Sequence, residues 1–114
     1  MYAKYLKERE NKEIQETDYG FVIYQVNNDE KYIYAIDVYV AKEHRGRGFG
    51  SSLMDFVAKK GKEIGCDKFY TSADRSSLGY ENSMLAILNY GKNRKIKYSH
   101  TEPGTTLDYY LMEL

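Results

Sequence analysis

The chain has no tryptophan, one cysteine, one proline and no net charge, and each shortage removes a class of protein. A single thiol, Cys66, rules out an internal disulfide and leaves no thiolate pair for zinc, so no metal is expected and a reducing compartment fits. The 17 basic and 17 acidic residues cancel. No global field therefore draws the chain onto nucleic acid or an anionic membrane, and an anion site has to be built locally. No apolar window approaches the roughly 20 residues that span a bilayer, and Met1 to Lys7 has no uninterrupted apolar stretch. The expectation is a soluble, cytoplasmic protein. Pro103 sits in a turn and no repeat or linker interrupts the 114 residues, so 1–114 reads as a single domain with one core.

What is abundant is tyrosine, at 13 residues. Its ring packs while its hydroxyl stays polar, which suits half-buried strands and open clefts but identifies no substrate.

Tyr2, Tyr5 and Leu6 recur at helical spacing and predict a short helix to Arg9. Strands follow at Glu13 to Thr17, Phe21 to Val26 and Lys31 to Val40, the last two joined as a hairpin through Asn27 to Glu30. Leu53, Phe56, Val57, Lys60 and Ile64 fall on one helical face, which Gly65 closes. Asp67 to Ser72 reads as a strand, Asn82 to about Tyr90 as a second helix, and Lys95 to Ser99 and Thr106 to Leu114 as closing strands. This order predicts an α/β (α+β) fold: a mixed, mostly antiparallel sheet with helices on both faces.

Between the third strand and the long helix stands Ala41-Lys42-Glu43-His44-Arg45-Gly46-Arg47-Gly48-Phe49-Gly50-Ser51-Ser52. Gly46, Gly48 and Gly50 lack Cβ atoms, so the backbone can take positive φ and turn successive N–H groups into one concavity. The following helix adds its own unpaired N–H groups and the positive end of its dipole. Lys42, Arg45 and Arg47, with His44 beside them, ring that concavity with positive charge, and guanidinium groups grip phosphate oxygens in pairs. These features describe a diphosphate site. A Walker loop would end Gly-Lys-Ser/Thr, and this one ends Gly50-Ser51-Ser52. A dinucleotide turn would open a parallel βαβ unit, whereas a hairpin precedes this one.

Arg45-Gly46-Arg47-Gly48-Phe49-Gly50 resembles the acyl-CoA signature of the GNAT acetyltransferases, Arg/Gln-x-x-Gly-x-Gly/Ala, at every fixed position. The preceding strand Ile36 to Val40, Leu53 in the helix, and Gly65-Cys66 before the next strand extend the resemblance over about Tyr32 to Leu114. It implies a small acetyl-CoA-dependent N-acetyltransferase. Arg45, Gly46, Arg47, Gly48, Phe49, Gly50 and Ser51 would hold the pyrophosphate, while Val38, Tyr39 and Val40 would pair with the pantetheine arm. Phe69 to Ser72 would form the opposite wall. Asn82 matches the family's pantetheine-contacting asparagine and equally suits a helix cap.

Direct transfer needs a neutral amine, a donor to the carbonyl oxygen and a proton for the departing thiolate. Asp37 and Glu43 are the nearby carboxylates. Asp37 is the candidate base, although strand alternation also allows it simply to face solvent. The family's usual proton donor, a tyrosine seven positions after the asparagine, is replaced by Asn89. Tyr90, one position on, and Tyr80 are the substitutes, and a one-residue shift turns a helical side chain by about 100°. His44 beside the loop and His100 near a turn carry no specific signal, and Cys66 reads as a small buried side chain.

Only about 30 residues precede the loop-bearing strand. The resemblance then suggests an open cleft, with Tyr2, Tyr5, Tyr24 and Tyr34 available to line it, and favours a lysine or N-terminal amine of a protein over a small metabolite. The chain would act as a monomer or homodimer. The alternative is a non-catalytic acyl-CoA-binding or protein-interaction module.

Overall fold

The structure, a computed structural model, describes residues 1–114. An opening helix α1 (Tyr2–Tyr5) widens into a π-helical turn over Leu6–Glu10. After it come β1 (Glu13–Glu16), β2 (Gly20–Asn27), β3 (Tyr32–Val40), α2 (Phe49–Glu63), β4 (Lys68–Asp74), α3 (Tyr80–Gly91), β5 (Ile96–Thr101) and β6 (Leu107–Glu113). The strands make one six-stranded sheet ordered β1-β2-β3-β4-β6-β5. Only β3 and β4 are parallel; the other pairings are antiparallel. A parallel pair needs a crossover connection, and α2 supplies it. This is the expected mixed, mostly antiparallel α/β architecture.

Alternation along the strands sets the two faces of the sheet. Val22 and Tyr24 of β2, Ile33 and Ala35 of β3 and Phe69 of β4 are buried against Leu53, Met54, Val57 and Ala58 of α2 and Tyr90 of α3. Burying a side chain the size of Phe69 is worth about 2–3 kcal/mol. Gly61 lets α2 lie close to β3, because a Cβ there would stand 2.5 Å from Ile33 Cγ2. On the opposite face, register aligns Tyr34 with Gln25 of β2, and with Tyr70 of β4. The Gln25 amide reaches the Glu10 carbonyl, so the N-terminal helix lies at the β2 end of that face. Helices thus flank both faces.

Three expectations shift. The N-terminal segment keeps α geometry only to Tyr5 and ends at Asn11 in a left-handed conformation, with Leu6 as its one buried residue. β4 runs on to Asp74, because Leu107 of β6 pairs with it. Helix α3 starts at Tyr80 with Gly79 before it, so Asn82 lies within the first turn and is not the cap.

Candidate active site

The chemistry-bearing residues gather where β3 and β4 separate. The two strands pair from Tyr32↔Lys68 to Ala35↔Thr71 and no further. Beyond that point β3 stays paired with β2, out to Gly20↔Val40, and β4 stays paired with β6, out to Asp74↔Leu107. The facing edges are therefore free. A bulge lies at the point of parting: Ile23 pairs with Asp37 and Tyr24 with Ala35, leaving Ile36 as the extra residue. Such a residue bends its strand and raises its twist, which carries the end of β3 away from β4.

The result is a cleft of about 570 Å³ running from the split to the start of α2. One side is the β3 edge from Ala35 to Val40, and the other is Thr71 and Ser72 of β4 with α3 residues that include Asn82, Ser83 and Asn89. His44, Arg45, Gly46, Gly48, Phe49, Gly50 and Ser51 close the outer end.

At that outer end two of the three loop glycines take the positive φ the sequence allowed, while Gly50 already belongs to α2. A single 3₁₀ turn, Lys42–His44, leads into the loop, and Gly46 and Gly48 hold φ of 79° and 81°. A side chain at either would be strained, since L-residues pay about 1–2 kcal/mol in the left-handed region. The N–H groups from Gly46 to Ser51 have no acceptor within the protein, and a 15-residue helix begins behind them. Phe49 anchors the turn by stacking on Tyr19 at 4.0 Å. Arg45 donates from Nε to the Val40 carbonyl at 2.9 Å, which fixes its side chain at the end of β3. Neither Arg45, Arg47 nor Lys42 has a carboxylate partner. Free donors, a helix N-terminus and unpaired cations fit a diphosphate.

Of the expected cofactor contacts, Val38, Tyr39, Val40, Arg45, Gly46, Gly48, Phe49, Gly50, Ser51 and Asn82 line the cleft. Arg47 is exposed beside it and is not part of the lining. Phe69 and Tyr70 do not form the far wall. Phe69 is in the core and Tyr70 packs edge-on against Tyr32, so Thr71 and Ser72 take that place.

The candidate catalytic groups part company. Asp37 is exposed and lines the inner end of the cleft. Tyr80 is half-buried at the start of α3, outside the lining. Tyr90 is fully buried between Phe69, 5.9 Å away, and the Arg94 guanidinium, 4.2 Å from its ring. Its hydroxyl has no hydrogen-bond partner, and burial pushes its pKa up to about 12. The helix keeps its phase, so Asn89 faces the cleft and Tyr90 faces the core. Tyr2 and Tyr5 are exposed and stack on each other, Tyr24 is buried against Phe56, Tyr34 packs against Tyr109, and none of the four lines the cleft.

A pair of hydroxyls is new. Tyr34 and Ser72, 38 residues apart, stand 2.6 Å from each other on the face opposite α2 and α3. Burial raises the Tyr34 pKa to about 12, so the phenol keeps its proton. Strand alternation put both on one face, but only the pairing of β3 with β4 shows that they meet. No group of His, Cys, Asp and Glu is arranged to hold a metal ion, and no helix is long and apolar enough to cross a membrane.

Comparison with known proteins agrees with this architecture. The model of the acetyltransferase (GNAT) family matches residues 13–80, and the chain belongs to that family. No curated protein matches it. Among solved structures, a Bacillus subtilis acetyltransferase in complex with CoA aligns at a TM-score of 0.68 and 15% identity, over 97% of this chain and 83% of its own. A putative streptothricin acetyltransferase from Bacillus anthracis in complex with acetyl coenzyme A aligns at 0.70 and 16%, over 100% and 69%. A nourseothricin acetyltransferase aligns at 0.66 and 21%, over 82% of this chain and 56% of its own. At these identities the likeness is one of fold.

Proposed function

We propose that the chain is an acetyl-CoA-dependent N-acetyltransferase, acting as one domain, 1–114, that passes the acetyl group directly to a primary amine. The observation that carries this reading is the continuity of the cleft: an anion-binding turn at one end, an unpaired strand edge along its length, and Asp37 and Ser72 at the other end. The pyrophosphate would sit on the N–H groups of Gly46 to Ser51. The pantetheine would extend along Val38 to Val40 as another strand would, over roughly 13 Å of edge between Ile36 and Val40 at strand rise. The thioester then comes to rest by the bulge. Asp37 takes the extra proton of the incoming ammonium, directly or through water, so that the amine attacks in its neutral form. The B. subtilis, B. anthracis and Thermoplasma acidophilum neighbours in complex with CoA or acetyl-CoA support the cosubstrate.

The acceptor we favour is a lysine or N-terminal amine of a protein in the cytoplasm. Asp37 and Ser72 belong to the sheet face that α2 and α3 leave free, so the inner end suits a chain lying across it. Two neighbours are named for nourseothricin and streptothricin, which makes a small amine the competing acceptor. A second reading, a non-catalytic acyl-CoA-binding module, draws on the asparagine at position 89 and the burial of Tyr90.

One assay separates them. The chain is incubated with acetyl-CoA and, in parallel, lysine peptides, peptides with free N-termini and nourseothricin, while free CoA thiol is followed. Peptide-dependent thiol release is expected. Release with nourseothricin alone would replace the acceptor, and acetyl-CoA binding without release would leave the binding module.

A further inference from the structure

Acetyl transfer leaves one chemical demand unmet by the residues assigned so far. The N–C bond forms, the C–S bond breaks with its electron pair going to sulfur, and the sulfur must gain a proton. The family's usual tyrosine position holds Asn89, Tyr90 is sealed in the core and Tyr80 lies outside the cleft lining. The inner end of the cleft is nevertheless lined by two hydroxyl residues, Thr71, whose hydroxyl donates to the Ala35 carbonyl, and Ser72. Ser72 is the first β4 residue beyond the last β3–β4 pair, so it stands at the apex of the split.

We propose that Ser72, oriented by Tyr34, is the catalytic proton carrier of this site. The proposal rests on the acetyltransferase reading above. Tyr34 and Ser72 lie 2.6 Å apart, a short hydrogen bond that either hydroxyl can donate; in the proposed catalytic arrangement the phenol donates to Ser72 Oγ. That donation occupies one lone pair of the serine and leaves its own O–H free to point at the departing sulfur. Tyr34 is in turn held by packing against Tyr109, with ring centroids 5.5 Å apart. As the C–S bond breaks, Ser72 gives its hydrogen to sulfur and takes one from the nitrogen, which must lose a proton in the same collapse. The products are the amide and the free thiol. Ser72 ends as it began, and Tyr34 never gives up its proton, as its raised pKa requires. Ser72 is the catalytic residue, and Tyr34 is a positioning residue that acts through it.

The test measures kcat with the best acceptor from the amine panel, and acetyl-CoA Kd by calorimetry, for wild type, Ser72→Ala, Ser72→Thr, Tyr34→Phe and the Tyr34→Phe/Ser72→Ala double variant. Ser72→Ala is expected to lower kcat about 100-fold, at the lower end of what a positioned proton donor supplies, with Kd within twofold of wild type. Ser72→Thr keeps a hydroxyl on the same strand position and should recover most of the rate. Tyr34→Phe should lose about tenfold, and the double variant should be no slower than Ser72→Ala alone, because Tyr34 acts only through that hydroxyl. A purely structural role for Tyr34 would add to the loss. Should Ser72→Ala not fold, Ser72→Thr and Tyr34→Phe carry the test through their rates. Wild-type transfer with Ser72→Ala within threefold of it overturns this proposal alone. A wild-type chain that binds acetyl-CoA and acetylates nothing overturns the enzyme reading and this proposal together.

Discussion

The two ends of the cleft are made in different ways. The outer end is consecutive: a turn from Arg45 to Ser51 carries its own glycines, donors and cations and needs only a helix start behind it. The inner end is assembled, with Asp37 beside the bulge of β3 and Ser72 from β4 set by sheet pairing, while helix phase turns Asn89 of α3 toward the same cleft. Ligand anchoring can reside in a local motif because backbone N–H groups of neighbouring residues converge without help. Proton transfer requires side chains from different directions around one atom, and a single segment rarely provides them.

The largest effect that separates the ends is expected at the loop. Gly48→Glu forces a side chain into φ of 81° and sets a negative charge at the proposed diphosphate site. Acetyl-CoA affinity should fall at least about 100-fold with the fold intact, read by calorimetry and thermal melting. Unchanged affinity would dissolve the contrast, because the anion site would then lie elsewhere.

At the inner end, Asp37→Asn should lower kcat about tenfold while acetyl-CoA Kd stays within twofold, as expected of a group that handles the amine and not the cosubstrate. A change in Kd alone would reassign Asp37 to binding. Because Asn89 faces the cleft, Asn89→Tyr placed in the Ser72→Ala background should regain about tenfold in kcat. No gain would mean that this helix position does not reach the sulfur.

Smaller effects are expected at Tyr90. Tyr90→Phe removes a buried hydroxyl that has no partner, so kcat should be unchanged and stability equal or higher by about 1 kcal/mol in denaturant unfolding. A loss of kcat would return Tyr90 to the reaction. The smallest signal is alkaline. Tyr34 and Tyr90 are pushed from 10.0 to about 12 by burial, so between those values the folded chain keeps protons that the unfolded chain releases. Stability is then fully present below pH 10 and falls as pH rises toward 12, and melting temperatures across that window check it. Tyr90→Phe should flatten part of that fall.

Most of the fold was legible in the residues, because β-branched and aromatic runs such as Lys31 to Val40 and the 3.6-period face from Leu53 to Ile64 are strong signals. Boundaries were less so. β4 outran its apolar pattern because β6 pairs with it to Asp74, and α3 began two residues early, taking Asn82 off the cap position. The tyrosines were least legible. A tyrosine ring suits a core, a stacked surface pair or a contact between strands equally well, and Tyr90, Tyr2 and Tyr34 went to these different environments.

By itself the sequence marked the turn between β3 and α2 as the candidate diphosphate site, since its glycines, N–H donors and cations belong to adjacent residues. Tertiary structure alone decided which hydroxyl meets the reacting end. Helix phase turned Asn89 to the cleft and Tyr90 to the core about 100° away, and the parallel pairing of β3 with β4 closed a 38-residue separation to 2.6 Å between Tyr34 and Ser72. That meeting depends on register between strands distant in sequence, which no local run of residues encodes.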